Sequence, residues 1–121
     1  MRLRSGHDRQ ALAAVLLHES LWDEATTLAD KHAADYELVG QVADGVMTQR
    51  AAWVINASRQ QADALIARTS STYYIHAVTW LTRMKKAHFQ LGQKKDWECY
   101  LSELREQYRR RPALQAKLRV L

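Results

Sequence analysis

A single proline, Pro112, and four glycines are spread over 121 residues. That scarcity constrains the fold more than any other feature. An all-β domain of this size turns every few residues, and its turns draw on Gly, Pro, Asn and Asp. This chain has too little of that material. Ala, Leu, Gln, Arg and Lys dominate instead, and these residues lose little side-chain freedom in a helix. The expectation is an all-α fold in one domain spanning residues 1–121, since a chain of this length buries most of the surface it exposes when unfolded.

Apolar periodicity divides the chain into seven candidate helices. The first runs from about Asp8 to Glu19, with Leu12, Val15 and Leu16 recurring among alanines. Ser20-Leu21-Trp22-Asp23 has the spacing of a capping box. It predicts a second helix with Trp22, Ala25, Leu28, Ala29 and His32 on one stripe. Asp35 is placed to cap a third, from Tyr36 to about Thr48, lined by Leu38, Val39, Val42 and Val46. The fourth, about Ala51–Ala67, has apolar residues on two sides: Ile55, Ala62, Leu65 and Ile66 on one, Trp53, Ala57 and Ala64 on the other.

The hydroxyl run Thr69-Ser70-Ser71-Thr72 interrupts the pattern. A fifth helix is expected from Tyr73 to Leu91, again apolar on two sides, and Gly92 suits a left-handed C-terminal cap. Asp96 is a candidate cap for the sixth, where Trp97, Tyr100, Leu101, Leu104 and Tyr108 share one face. Pro112 cannot continue that helix but fits the first turn of another. The last segment, Pro112–Leu121, therefore reads as a short closing helix with Leu114, Leu118 and Leu121 inward.

Trp22, Trp53 and Trp97 each open the second helix of an expected antiparallel pair. Trp22-x2-Ala25-x3-Ala29 parallels Trp97-x2-Tyr100-x3-Leu104, and Pro112 follows eight residues after Leu104. This resembles the second half of a tetratricopeptide repeat, although Tyr100 stands where a small residue is expected and Leu104 where an aromatic is. The architecture implied is a short right-handed solenoid of stacked hairpins at about 8–32, 36–67 and 73–110, closed by 112–121. Two-sided helices fit such a stack, because each hairpin buries one face on its predecessor and the other on its successor.

The segments WDEATTLADKH (22–32), TYYIHAVTWLTRMKKAHFQLG (72–92) and DWECYLSELREQYRRRPAL (96–114) together resemble the C-terminal helical region of bacterial SWIM zinc-finger proteins. The likeness covers roughly residues 20–120 and rests on Tyr73, Tyr74, Ala77, Trp80, Leu81, Gly92, Trp97, Tyr100, Leu101 and Leu104. It implies a helical scaffold. The Cys-x-Cys and Cys-x-His motif that holds zinc in that family is missing here, so neither the zinc nor the binding attributed to the finger carries over. On that resemblance the chain is a C-terminal fragment or a stand-alone relative.

Little in the residues specifies a reaction. Cys99 is the only cysteine, which excludes an intrachain disulfide and a zinc site built from several thiolates. The histidines, His7, His18, His32, His76 and His88, form no HExxH pair, and His18 with Glu19, Asp23 and Glu24 straddles a turn instead of converging on one point. Cys99 has Lys94, Lys95 and a helix N-terminus nearby but no designated base. The glycines are isolated and form no phosphate loop. No catalytic residue, cofactor, metal site or small-molecule substrate is therefore expected. The charged start, MRLRSGHDRQ, lacks the apolar stretch of a signal peptide, and no apolar run is long enough to span a bilayer. A cytoplasmic protein without membrane partners is the expectation.

Charge and exposed apolar residues remain. The formal net charge is +5, and residues 83–121 hold 11 Lys/Arg against 4 Asp/Glu, a balance of +7. Lys85, Lys86, Lys94, Lys95, Arg105, Arg109, Arg110 and Arg111 form a candidate basic face, which could meet phosphate, an acidic protein or only water. Basic residues near helix C-termini also have a structural use, since they oppose the negative end of the helix dipole. Leu12, Leu16 and Leu17 form a candidate apolar edge on the first hairpin. The function these features imply is non-catalytic interaction, through a protein partner or a second copy of the chain; the alternative is nucleic-acid binding through the basic face.

Overall fold

The computed structural model describes residues 6–121, with side chains from Asp8 onward. The described residues form seven α-helices with short connections and no strand. They are α1 Gly6–His18, α2 Trp22–Lys31, α3 Tyr36–Gly45, α4 Ala51–Ile66, α5 Ser71–Gln90, α6 Lys94–Gln107 and α7 Pro112–Leu118. The all-α class and the helix count are as the periodicity indicates.

Two of the expected helix caps are not formed. Ser20 does not cap α2: the residue before that helix is Leu21, which makes no side-chain cap hydrogen bond. Ser20 instead sits at φ 60 in the tight α1–α2 turn, and Asp23 turns away to take a hydrogen bond from Arg50 Nε at 2.8 Å. That pairing lowers the Asp23 carboxyl below its usual range, mainly through the hydrogen bond and then through the Arg50 charge. Asp96 does not cap α6 either, because the helix begins earlier, at Lys94, and Asp96 lies within its first turn. Asp35 does cap α3, its Oδ1 accepting from the Leu38 N–H at 3.2 Å.

Gly92 ends α5 as its composition suggests. It adopts φ +69, its N–H reaches Phe89 O at 3.0 Å, and the Gln93 N–H reaches His88 O at 2.8 Å. That pair of bonds is the Schellman pattern.

The core runs through every helix. Fully enclosed residues include Leu38 and Val42 on α3, Val46 just after it, Val54 and Ile66 on α4, Leu81 and Met84 on α5, Trp97 on α6, and Leu114 and Leu118 on α7. The most extensive helix pair is α4 with α5, and each also meets other helices, which accounts for their two-sided apolar pattern. α3 bridges this pair to α1 and α2, and α5 also carries α6 and α7 on its other side. α1 is the weakest member, with Ala13 buried but Val15 57% exposed, so Val15 is not on the inward stripe. The inner face of α4 also differs in detail, being drawn through Ala51, Val54, Ser58, Ala62 and Ile66.

Candidate interaction groove

A groove of about 790 Å³ opens where the first turns of α3, the second half of α4 and the first half of α5 meet. Each wall follows from helical spacing. On α4, Gln61, Ala64 and Leu65 lie along one side, with Arg68 in the turn that follows, and on α5 Tyr73, His76, Trp80 and Arg83 recur on one face. Ala33, Ala34, Tyr36, Glu37 and Gly40 complete the rim from the α2–α3 turn and α3.

Several bonds hold the walls in place. Gln61 Nε2 donates to Ala33 O at 2.7 Å, tying α4 to the α2–α3 turn. Arg83 places two guanidinium nitrogens on the Asp44 carboxylate at 2.9 and 3.2 Å while lying over the Trp80 ring at 4.4 Å, so one side chain joins α3 to α5. Gly40 leaves the room this needs, since a Cβ there would stand 3.1 Å from Arg83 Nη2. At the opposite end Arg68 lies over the Tyr73 ring at 4.9 Å. The turn that positions it is strained: Thr69, a β-branched residue, has φ 55. Glu37 takes a hydrogen bond from Gln10 of α1 at 2.9 Å.

The structure divides the basic residues singled out in the sequence. Lys85 Nζ donates to Leu121 O at 2.9 Å, Arg105 to Leu118 O at 3.1 Å, and Arg111 to Ile66 O at 3.0 Å. These three neutralise free carbonyls at the end of α7, the terminal turn after it, and the last residue of α4. Arg111 also covers the Tyr108 ring at 4.7 Å. Arg109, in the turn after α6, pairs with Glu106 of that helix's last turn at 3.2 Å. Lys86, Lys94, Lys95 and Arg110 are exposed.

Leu12 and Leu16 line a shallower groove of about 370 Å³ between α1 and α2, with Asp23, Glu24, Thr27, Leu28 and Lys31. Leu17 is directed at α3, where a Cβ added to Gly45 would meet its methyl carbons at 2.7 Å.

The histidines remain apart. His18 and His76 are exposed, His32 ends α2, and His88 is buried with Nδ1 3.2 Å from Gln93 Oε1. The side chain of His7 lies outside the described residues. Among those described, no group of three or more His, Cys, Asp or Glu is placed to hold a metal ion. Cys99 is exposed on α6. No helix among the described residues is long and apolar enough to cross a membrane.

Two further shifted groups, Asp63 of α4 and Tyr100 of α6, share the Arg59 side chain. Partial desolvation raises the Asp63 carboxyl above its usual range, against the opposing charge of Arg59. Burial raises the Tyr100 phenol, the Asp63 charge adds to that, and Arg59, 4.7 Å over the ring, opposes it.

Sequence reasoning missed the groove because its walls come from three helices. The available signals were Gly40 inside an otherwise apolar helix and the Tyr73, Trp80, Arg83 spacing on a helix with two apolar sides. No family model matches this chain, nor does any curated protein or solved structure.

Proposed function

We propose that this chain is a non-catalytic interaction module, a short tetratricopeptide-like stack of helical hairpins whose groove between α3, α4 and α5 receives a segment of a protein partner. The observation that carries this reading is the groove itself. It has the size of a binding cleft, apolar patches at Ala33, Ala34, Ala64 and Leu65, and an unburied aromatic at its rim in Tyr36, 61% exposed. Polar groups fixed around an apolar floor are what a peptide site needs for orientation. A helical scaffold with such a cleft also suits the resemblance to the helical region of SWIM zinc-finger proteins.

Panning a library of random peptides against the full chain tests this, with Ala64→Trp as the control. Ala64 is exposed on the groove wall, so the indole fills the cleft without entering the core. Peptides that bind the wild type and lose binding to Ala64→Trp are the expected result. An absence of such peptides would count against the reading.

A second reading, nucleic-acid binding, draws on the exposure of Lys86, Lys94, Lys95 and Arg110. Lys85, Arg105 and Arg111 are already bonded to backbone carbonyls and have less to offer phosphate. Titration with duplex and single-stranded oligonucleotides at low salt tests it, binding with steep salt dependence being the positive result.

A further inference from the structure

Building on the reading of the groove as a peptide site, we propose that its occupant is an acidic segment of a protein partner, seated with a carboxylate on Arg68 and its apolar side chains over Ala64 and Leu65. The two ends of the groove differ electrically. At the α4–α5 end the Arg68 guanidinium is exposed and held over Tyr73 at 4.9 Å, with no ion pair to a carboxylate among the described residues. α5 also starts there with no acidic residue in its first turn and no side-chain cap, so its N-terminal dipole adds to the Arg68 charge.

At the α3 end the balance reverses. Arg83 is already neutralised by both oxygens of Asp44, and among the described residues Glu37 is bonded only to the neutral amide of Gln10. Among the described residues, a cation and an anion without an ion-pair partner, Arg68 and Glu37, therefore both line the groove with its apolar floor between them. This polarity orients a bound segment, its carboxylate toward Arg68 and a neutral or basic residue toward Glu37.

Length is consistent with a short segment. Tyr73 and Arg83 are ten positions apart on α5, a rise of about 15 Å, which matches about ten residues of helix or about five of extended chain. Arg68 suits a carboxylate specifically. A guanidinium stacked on an aromatic ring keeps its edge free for paired N–H···O bonds and loses little freedom on forming them. The same stacking covers the ring faces of Tyr73 and Trp80, which disfavours a nucleic-acid strand that would stack bases there.

The test compares the peptides selected on the wild type, each about ten residues long, with fluorescein-labelled copies whose acidic residues are replaced by lysine. Binding is measured by anisotropy on the full chain, on Arg68→Glu and on Ala64→Trp, after circular dichroism has shown each variant to be folded. Acidic peptides bearing Leu, Phe or Trp are expected to dominate the groove-dependent set, to weaken about tenfold on Arg68→Glu, and to weaken with added salt. The lysine copies are expected to recover affinity on Arg68→Glu. Groove-dependent peptides that are neutral or basic, or that ignore Arg68→Glu, would overturn the acidic assignment while leaving the groove as a peptide site. No groove-dependent peptide at all would remove both.

Discussion

At the scale of single residues, Gly92 and Thr69 adopt the same backbone region with opposite consequences. Gly92, at φ +69, has nothing within 4 Å of where a Cβ would stand, so any penalty for Gly92→Ala comes from the backbone alone. That substitution is expected to cost about 1–2 kcal/mol, the price of left-handed geometry in a residue with a side chain. Thr69, at φ 55, bears such a penalty already. Thr69→Asn should relieve it and stabilise the fold by about 0.5–1 kcal/mol, because asparagine tolerates this region. Thermal unfolding of the two variants checks both signs. Gly92 was legible because glycine after an apolar helical run has one common use. The positive φ of Ser20 was not, because a serine three residues before an acid looks the same whether it caps or turns, and the choice fell to Arg50, which drew Asp23 away.

At the scale of helices, the stripes of α3 and α6 could be read from sequence, since their apolar residues recur on one face and face one set of neighbours. The basic residues could not be sorted that way. Whether an arginine meets water or a carbonyl depends on which helix end packs beside it, and Arg111 reaches Ile66 across 45 positions. Arg111→Ala should therefore destabilise by about 1–2 kcal/mol, losing a charged hydrogen bond and the contact with Tyr108. Arg110→Ala, its exposed neighbour, should stay within about 0.5 kcal/mol. Urea unfolding of the pair separates the structural cation from the solvated one.

Asp63 on α4 gives the same element a pH signature. Its carboxyl is raised by desolvation, so the folded state holds that proton more tightly than the unfolded chain does. Stability is thus lost as pH rises from the unfolded value, about 3.9, through the raised folded one. Asp63→Asn should raise the melting temperature at neutral pH and give no gain near pH 3. A gain of equal size at both pH values would show that charge is not the cause.

For the whole molecule, composition and period were enough for the class and the number of helices, and neither contains the pairing. The dominance of α4 with α5 depends on how closely two backbones approach, which Ser58, Ala62 and Ala77 permit by being small and buried. Such residues give a weak apolar signal. The packing makes α5 the common support of α4, α6 and α7, while α3 ties the first two helices to the same core. A molecule joined in this way should unfold as one unit. Trp22, Trp53, Trp80 and Trp97 stand on α2, α4, α5 and α6, so tryptophan fluorescence samples the chain from near one end to near the other. Urea curves from fluorescence and from helical circular dichroism should coincide. Leu81 and Met84 are fully enclosed on α5, and Leu81→Ala should cost about 2–5 kcal/mol, a large part of the about 5–15 kcal/mol typical of a domain. Because that loss falls on the shared support, both curves should shift to lower urea together. Curves that separate in this variant would mean that α1–α3 can remain folded without α5, and that the chain holds two cooperative units instead of one.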